Sequence, residues 1–153
     1  MSNPLTLDEI KRFVAAWYLA LDQHAPLDDI YKLLADEGLN VQFPGPTGDI
    51  RNRASFSAWY DGPQGVINIF FDENHYVQTV EAQIHGDEAV LDIVVGWQAS
   101  WWEKPDAKSK RVSMDATQRW TVRRSSKNAY GLEIVTYNAT VEPFKYAPGF
   151  ARL

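Results

Sequence analysis

The stretch YVQTVEAQIHGDEAVLDIVVGW, Tyr76 to Trp97, decides how this chain folds. Two runs with a side-chain period of two flank Gly86-Asp87, and a two-residue connection with glycine first is what a type II′ hairpin turn requires. Such a turn fixes the register, and the register can be checked against side-chain type. His85 then faces Glu88, Ile84 faces Ala89, Ala82 faces Leu91, Val80 faces Ile93, Gln78 faces Val95 and Tyr76 faces Trp97. That face is almost wholly apolar. The opposite face pairs Gln83 with Val90, Glu81 with Asp92, Thr79 with Val94 and Val77 with Gly96, and is mixed. One assumption about the turn sorts both strands, so the stretch reads as an antiparallel hairpin with one face against a core.

Toward the C-terminus the pattern continues. A second hairpin turning through Pro105 to Lys110, with Lys104 opposite Arg111, sets Trp97, Val95 and Ile93 against Gln118, Trp120 and Val122. It also puts Arg123 beside Asp92, where a guanidinium relieves the repulsion between Glu81 and Asp92. A last strand, from Leu132 to Val141, presents Leu132, Ile134, Thr136 and Asn138 to the same inner face. The basic residues between Lys104 and Arg111 read as a solvated hairpin tip, because no aromatics interleave and Asp106 interrupts them.

Toward the N-terminus the period becomes helical. Thr6 and Glu9 fit a capping box, and Ile10, Phe13, Val14, Trp17 and Leu21 form one apolar stripe on a helix from Leu7 to Asp22. After Ala25-Pro26, Asp28 can cap a shorter helix ending near Gly38. A brief strand from Leu39 to Phe43 runs into a Pro/Gly-rich turn. A third helix starts after Asn52, carries Phe56, Trp59 and Tyr60, and stops at Gly62-Pro63. The strand pattern is read from about Val66 onward. Three helices followed by an antiparallel meander make an α+β domain over residues 1–153, its helices covering one face of a curved sheet.

Composition bounds the function. The 153 residues are 45% apolar and 23% charged, as expected of one soluble domain with a sizeable core. A net charge of -5 argues against nucleic acid as a partner. No apolar run approaches the ~20 residues of a spanning helix. Met1-Ser2-Asn3-Pro4 lacks the basic start and apolar stretch of a signal peptide, so the expectation is a cytoplasmic protein without a membrane partner. The absence of cysteine excludes disulfides, thiolate metal sites and cysteine nucleophiles. The histidines His24, His75 and His85 show no i, i+4 spacing, so no metal site is expected. No Gly-rich phosphate loop or Gly-x-Ser-x-Gly elbow occurs, and no cofactor is expected.

Several strings in this order resemble the nuclear transport factor 2-like superfamily, in particular its SnoaL-like and ketosteroid-isomerase-like members. They are Ile10 to Trp17, Leu33-Leu34-Ala35-Asp36-Glu37 leading into Val41 to Gly45, and His75-Tyr76-Val77-Gln78 leading into Ile84 to Ala89. The resemblance implies a cone of helices and strongly bent sheet around one deep apolar pocket, and a homodimer through the outer sheet face. It implies little about reaction, because the fold hosts isomerases, cyclases, dehydratases and proteins without catalysis. Residue by residue, the ketosteroid isomerase machinery is missing. Phe13 stands where the resemblance implies a tyrosine, Phe43 where it implies the basic aspartate, and Gln118 where it implies a protonated aspartate.

The expected ligand-binding wall therefore comprises Phe13, Trp17, Phe43, Trp59, Tyr76, Gln78, Trp97, Gln118, Trp120, Thr136 and Asn138: apolar surface with a few orienting polar groups. Its expected occupant is a small apolar or aromatic molecule. Isomerisation, cyclisation or dehydration stands against a non-catalytic binding or dimeric interaction role. His75 is the histidine best suited to act as a base near neutral pH, but the hairpin register turns it to the outer face. Asp49 and Asp61 sit in loops that could rim the pocket. The aromatic tail Phe144, Tyr146 and Phe150 should cover either the pocket or an interface.

Overall fold

Thr6 starts the first helix because its hydroxyl oxygen accepts the backbone N–H of Glu9 at 3.2 Å. In the computed structural model, which describes residues 4–153, that helix is α1 (Leu7–Asp22). Met1 to Asn3, read above for the lack of a leader, lie outside the described residues. The Glu9 carboxylate accepts from the Thr6 hydroxyl and also binds Arg124, tying the helix start to the sheet. Ile10, Phe13, Val14, Trp17 and Leu21 are all buried, as the stripe predicts, and Tyr18 joins them. Each such residue stabilises the fold by about 1.5–3 kcal/mol relative to leaving it exposed.

The remaining elements are α2 (Leu27–Tyr31), β1 (Asn40–Gln42), β2 (Asp49–Ile50), α3 (Arg53–Tyr60), α4 (Val66–Ile69), β3 (Phe71–His85), β4 (Glu88–Trp101), β5 (Lys110–Arg124), β6 (Leu132–Asn138) and β7 (Lys145–Tyr146). Pro26, rather than Asp28, occupies the cap of α2, and that helix ends at Tyr31, before Gly38. Asn52 caps α3 through Ser55. The residues from Val66 form a fourth short helix, so β3 begins only at Phe71. The strands run in the order β2-β1-β6-β5-β4-β3, with β7 added to β5; β1 and β6 are parallel and every other strand pair is antiparallel. Helices on one face of a large, curved, unclosed sheet make the expected α+β cone.

The first hairpin turns at Gly86, whose φ of 66° lies in the left-handed region, and the expected register holds from His85↔Glu88 to Thr79↔Val94. It then breaks. A β-bulge leaves Gln78 without an opposite residue, so Val77 pairs with Val95, Tyr76 with Gly96 and His75 with Trp97. One extra residue exchanges the faces of everything beyond it. Tyr76 and Gln78 therefore move to the outer face and His75 to the inner face, the reverse of the expectation.

The second hairpin is offset by four residues, with Trp97 opposite Met114, Val95 opposite Ala116, Ile93 opposite Gln118 and Leu91 opposite Trp120. Its loop is longer than expected, held by the Trp102 indole N–H on the Asp106 carbonyl at 2.6 Å and by Lys110 on Glu103. Because the offset is even, the faces survive. Arg119 rather than Arg123 answers Asp92, with Nε donating at 2.9 Å, while Arg123 binds Glu133. A second bulge lies between Thr121 and Val122 in the pairing with β6: Val122 pairs with Ile134, but Thr121 pairs with Thr136 and Trp120 with Tyr137. Leu132 and Ile134 face inward as expected, whereas Tyr137 takes the inner position and Thr136 and Asn138 turn outward.

Candidate functional site

Inside the cone the inner faces of β4 and β5, the end of α3 and the C-terminal segment leave a cavity of about 190 Å³. Val95 and Trp97 line it from β4, Met114 and Ala116 from β5, Trp59 from α3, Phe70 from the residue after α4, and Phe144 and Leu153 from the C-terminal segment. Phe43 stacks on Trp59 with ring centroids 4.0 Å apart and planes 3° from parallel, closing the end near β1. No lysine or arginine among the described residues lines this space.

Four of the expected wall residues meet there: Phe43, Trp59, Trp97 and Gln118. Phe13, Trp17 and Trp120 are fully buried in the aromatic core behind it, Trp17 edge-on to Phe56 and Trp120. The other four stand on the outer face. Tyr76 is 46% exposed and lies across Gly96, where a Cβ would come within 2.2 Å of its ring. Gln78 donates to Asp115, Thr136 bonds Thr121, and Asn138 caps Thr140. Asp49 pairs with Arg51 and Asp61 accepts from Ser57, and neither reaches the cavity.

What the sequence reading missed is a polar seam across one wall. His75 lines the cavity, and its Nδ1 meets Asp22 Oδ1 at 2.6 Å, while its backbone N–H donates to Asp22 Oδ2 at 2.8 Å. Asp22 is the last residue of α1, so the helix end supplies the carboxylate and the bulged strand supplies the imidazole. An ionised carboxylate only accepts, so the contact selects the form with its hydrogen on Nδ1, and in the neutral imidazole of that form Nε2 carries the lone pair. No described residue bonds Nε2. Beside this pair Glu73 accepts the Trp97 indole N–H at 3.1 Å and meets His24 Nε2 at 2.7 Å.

Behind the seam Gln118 Oε1 takes the Tyr18 hydroxyl at 2.5 Å and the Trp120 indole N–H at 3.2 Å. Tyr137 lines the cavity beside them. Burial pushes its hydroxyl up to about 12, against the pull of Trp17, Tyr18 and Gln118 nearby, and burial raises Tyr18 well above the usual tyrosine range. Both phenols therefore stay neutral donors. The sequence did hold a signal for the bulge: a glycine opposite an aromatic lets a ring lie over the bare backbone, and Gly96 opposite Tyr76 requires an odd residue between Tyr76 and the turn.

Helices packed on a large, curved, unclosed sheet, with an apolar cavity among them, match the nuclear transport factor 2-like, or cystatin-like, fold, and the chain has it. Among solved structures it is similar to a protein from Novosphingobium aromaticivorans provisionally described as an aromatic ring hydroxylase, at 15% identity over 94% of this chain and 96% of that chain, with a TM-score of 0.73. The hexachlorocyclohexane dehydrochlorinase LinA-type3 from Novosphingobium barchaimii follows at 11% identity, 95% and 92% coverage and a TM-score of 0.69. A nuclear transport factor 2-like protein from Salmonella enterica gives 14% identity, 95% and 91% coverage and a TM-score of 0.62. At such identities the likeness is one of fold. No family model matches the sequence, and no curated protein matches it. No helix among the described residues is long and apolar enough to cross a membrane.

Proposed function

We propose that the protein catalyses proton abstraction from carbon in a small apolar or aromatic molecule, leading to elimination or isomerisation. The observation that carries this reading is the 2.6 Å contact of His75 Nδ1 with Asp22 at the wall of an apolar cavity. Asp22 fixes the tautomer, and Nε2 accepts the substrate proton. The electron pair of the broken C–H bond forms a new double bond, and a group on the neighbouring carbon leaves with its own bonding pair; in an isomerisation the proton returns at another carbon. Apolar walls select the substrate and exclude water from the base. The dehydrochlorinase among the similar structures, whose name describes an elimination, supports this class of chemistry. Pairing of two copies over the outer sheet face, where Tyr76 stands half exposed, belongs to the same reading, and a monomer in light scattering would remove that part.

The test is a panel of small cyclic ketones, β-hydroxy ketones and chlorinated rings, incubated with the protein in D2O and followed by NMR. Deuterium uptake or alkene formation with the wild type, abolished by His75→Ala, is the expected result. Binding of panel members without exchange would replace the enzyme by a binding protein.

A further inference from the structure

The proton-transfer reading uses His75 and Asp22 and leaves Glu73 and His24 without a task. We propose that Asp22, Glu73 and His75, with His24 beside them, form a site for one transition-metal dication of the zinc class. One ligand atom from each of the first three lies within 4.8 Å of the others. Ligands about 2 Å from a tetrahedral ion stand roughly 3.3 Å from one another, so the three need to close by ~1.5 Å at most. The carboxylates are already oriented for it. Asp22 has one oxygen held by the His75 backbone N–H and the other on an imidazole; Glu73 has one oxygen held by the Trp97 indole and the other on His24. Each carboxylate thus has one oxygen fixed by an N–H donor and the other turned to an imidazole, and fixed donors of this kind orient a metal ligand.

Charge points the same way. The Glu73 side chain is 6% exposed and that of Asp22 15%, yet neither forms an ion pair with a lysine or arginine among the described residues. Two carboxylates beside an apolar cavity thus lie without a permanently charged partner, and a dication would supply that charge. Nitrogen together with oxygen ligands suits zinc, cobalt or nickel rather than calcium or magnesium. The sequence could not show this set by spacing, since its members come from the end of α1 and the start of β3.

An ion on His75 Nδ1 takes the lone pair of the other neutral tautomer, so the ring hydrogen moves from Nδ1 to Nε2. The occupied site therefore cannot act as the base, and metal and proton transfer exclude each other. The experiment is titration of chelator-stripped, full-length protein with Zn2+ by calorimetry and with Co2+ by visible absorption. We expect one ion per chain, with affinity at least ~100-fold lower in His75→Ala and Glu73→Gln. Trp97→Phe, which removes only the donor on Glu73, should cost about 10-fold. No binding by the wild type would overturn the proposal. So would equal affinity in the folded Trp97→Phe variant, or loss of binding on replacing the exposed His85, which would place the ion elsewhere. The proposal stands apart from the proton-transfer reading: deuterium exchange without metal binding sinks this one alone, and metal binding without exchange sinks the other.

Discussion

The imidazole of His75 lies on the phenol ring of Tyr18, with centroids 4.9 Å apart and planes 22° from parallel. Trp97 stacks more loosely on it, at 6.2 Å and 30°. With Asp22 at one edge of the ring, His75 keeps a single orientation, and the flat contacts leave Nε2 as its working atom. A base held this way loses little freedom when a substrate arrives.

Removing the base should be costly only to chemistry. His75→Ala and Asp22→Asn are expected to lower turnover of any substrate found in the exchange assay by about 10²–10⁴-fold. Ligand affinity, followed by quenching of Trp59 and Trp97 fluorescence, should change far less. A matching loss of affinity would make the pair a binding contact instead.

Gln118 holds two buried donors. Gln118→Ala orphans the Tyr18 hydroxyl and the Trp120 indole, at about 1–3 kcal/mol each. Thermal unfolding should show a large fall in Tm. The Gln118→Leu and Tyr18→Phe pair should recover part of that fall, because both ends of the strongest contact then become apolar.

Stability should decline in strong alkali. Tyr137 titrates near 10 when unfolded and about 12 in the fold, so the folded state holds its proton longer. Its contribution is complete below pH 10, and it is lost as the pH rises from 10 to 12. Two pH units correspond to about 3 kcal/mol. Urea unfolding at several pH values should show the decline, and Tyr137→Phe should flatten it; an unchanged slope in that variant would assign the effect to other groups.

The bulge itself can be removed. Deleting Gln78 restores strict alternation through β3, which turns His75 outward or forces the strand to slip. Either outcome separates His75 from Asp22. We expect a folded but inactive protein, with the His75 side-chain resonances changed in NMR spectra. Full activity would show that the bulge does not set the facing of the base.

Much of the architecture is legible in the residues. The α1 stripe, the Gly86 turn and the apolar inner face follow from periodicity, and even the four-residue offset between β4 and β5 leaves every face correct. The site is less legible because parity is an all-or-none signal. A single unpaired residue at Gln78 exchanged Tyr76 for His75, and a second irregularity near Val135 exchanged Thr136 and Asn138 for Tyr137. Pattern reading counts residues along a strand and cannot see where one drops out of the ladder. Asp22 was hidden for another reason: as the last residue of a helix it looked like a terminus, and only the fold brings it to β3.

The segment after β6 does two jobs with one backbone. β7 and Ala151 pair with the part of β5 that β6 leaves uncovered, while Phe144 and Leu153 from the same segment wall the cavity. Widening the cavity by cutting the chain after Pro143 would therefore strip a sheet edge as well, and bare edges recruit other chains. Mutational paths toward larger ligands through this wall should run into aggregation before they run out of space, whereas the Phe43 and Trp59 end can open without exposing an edge strand.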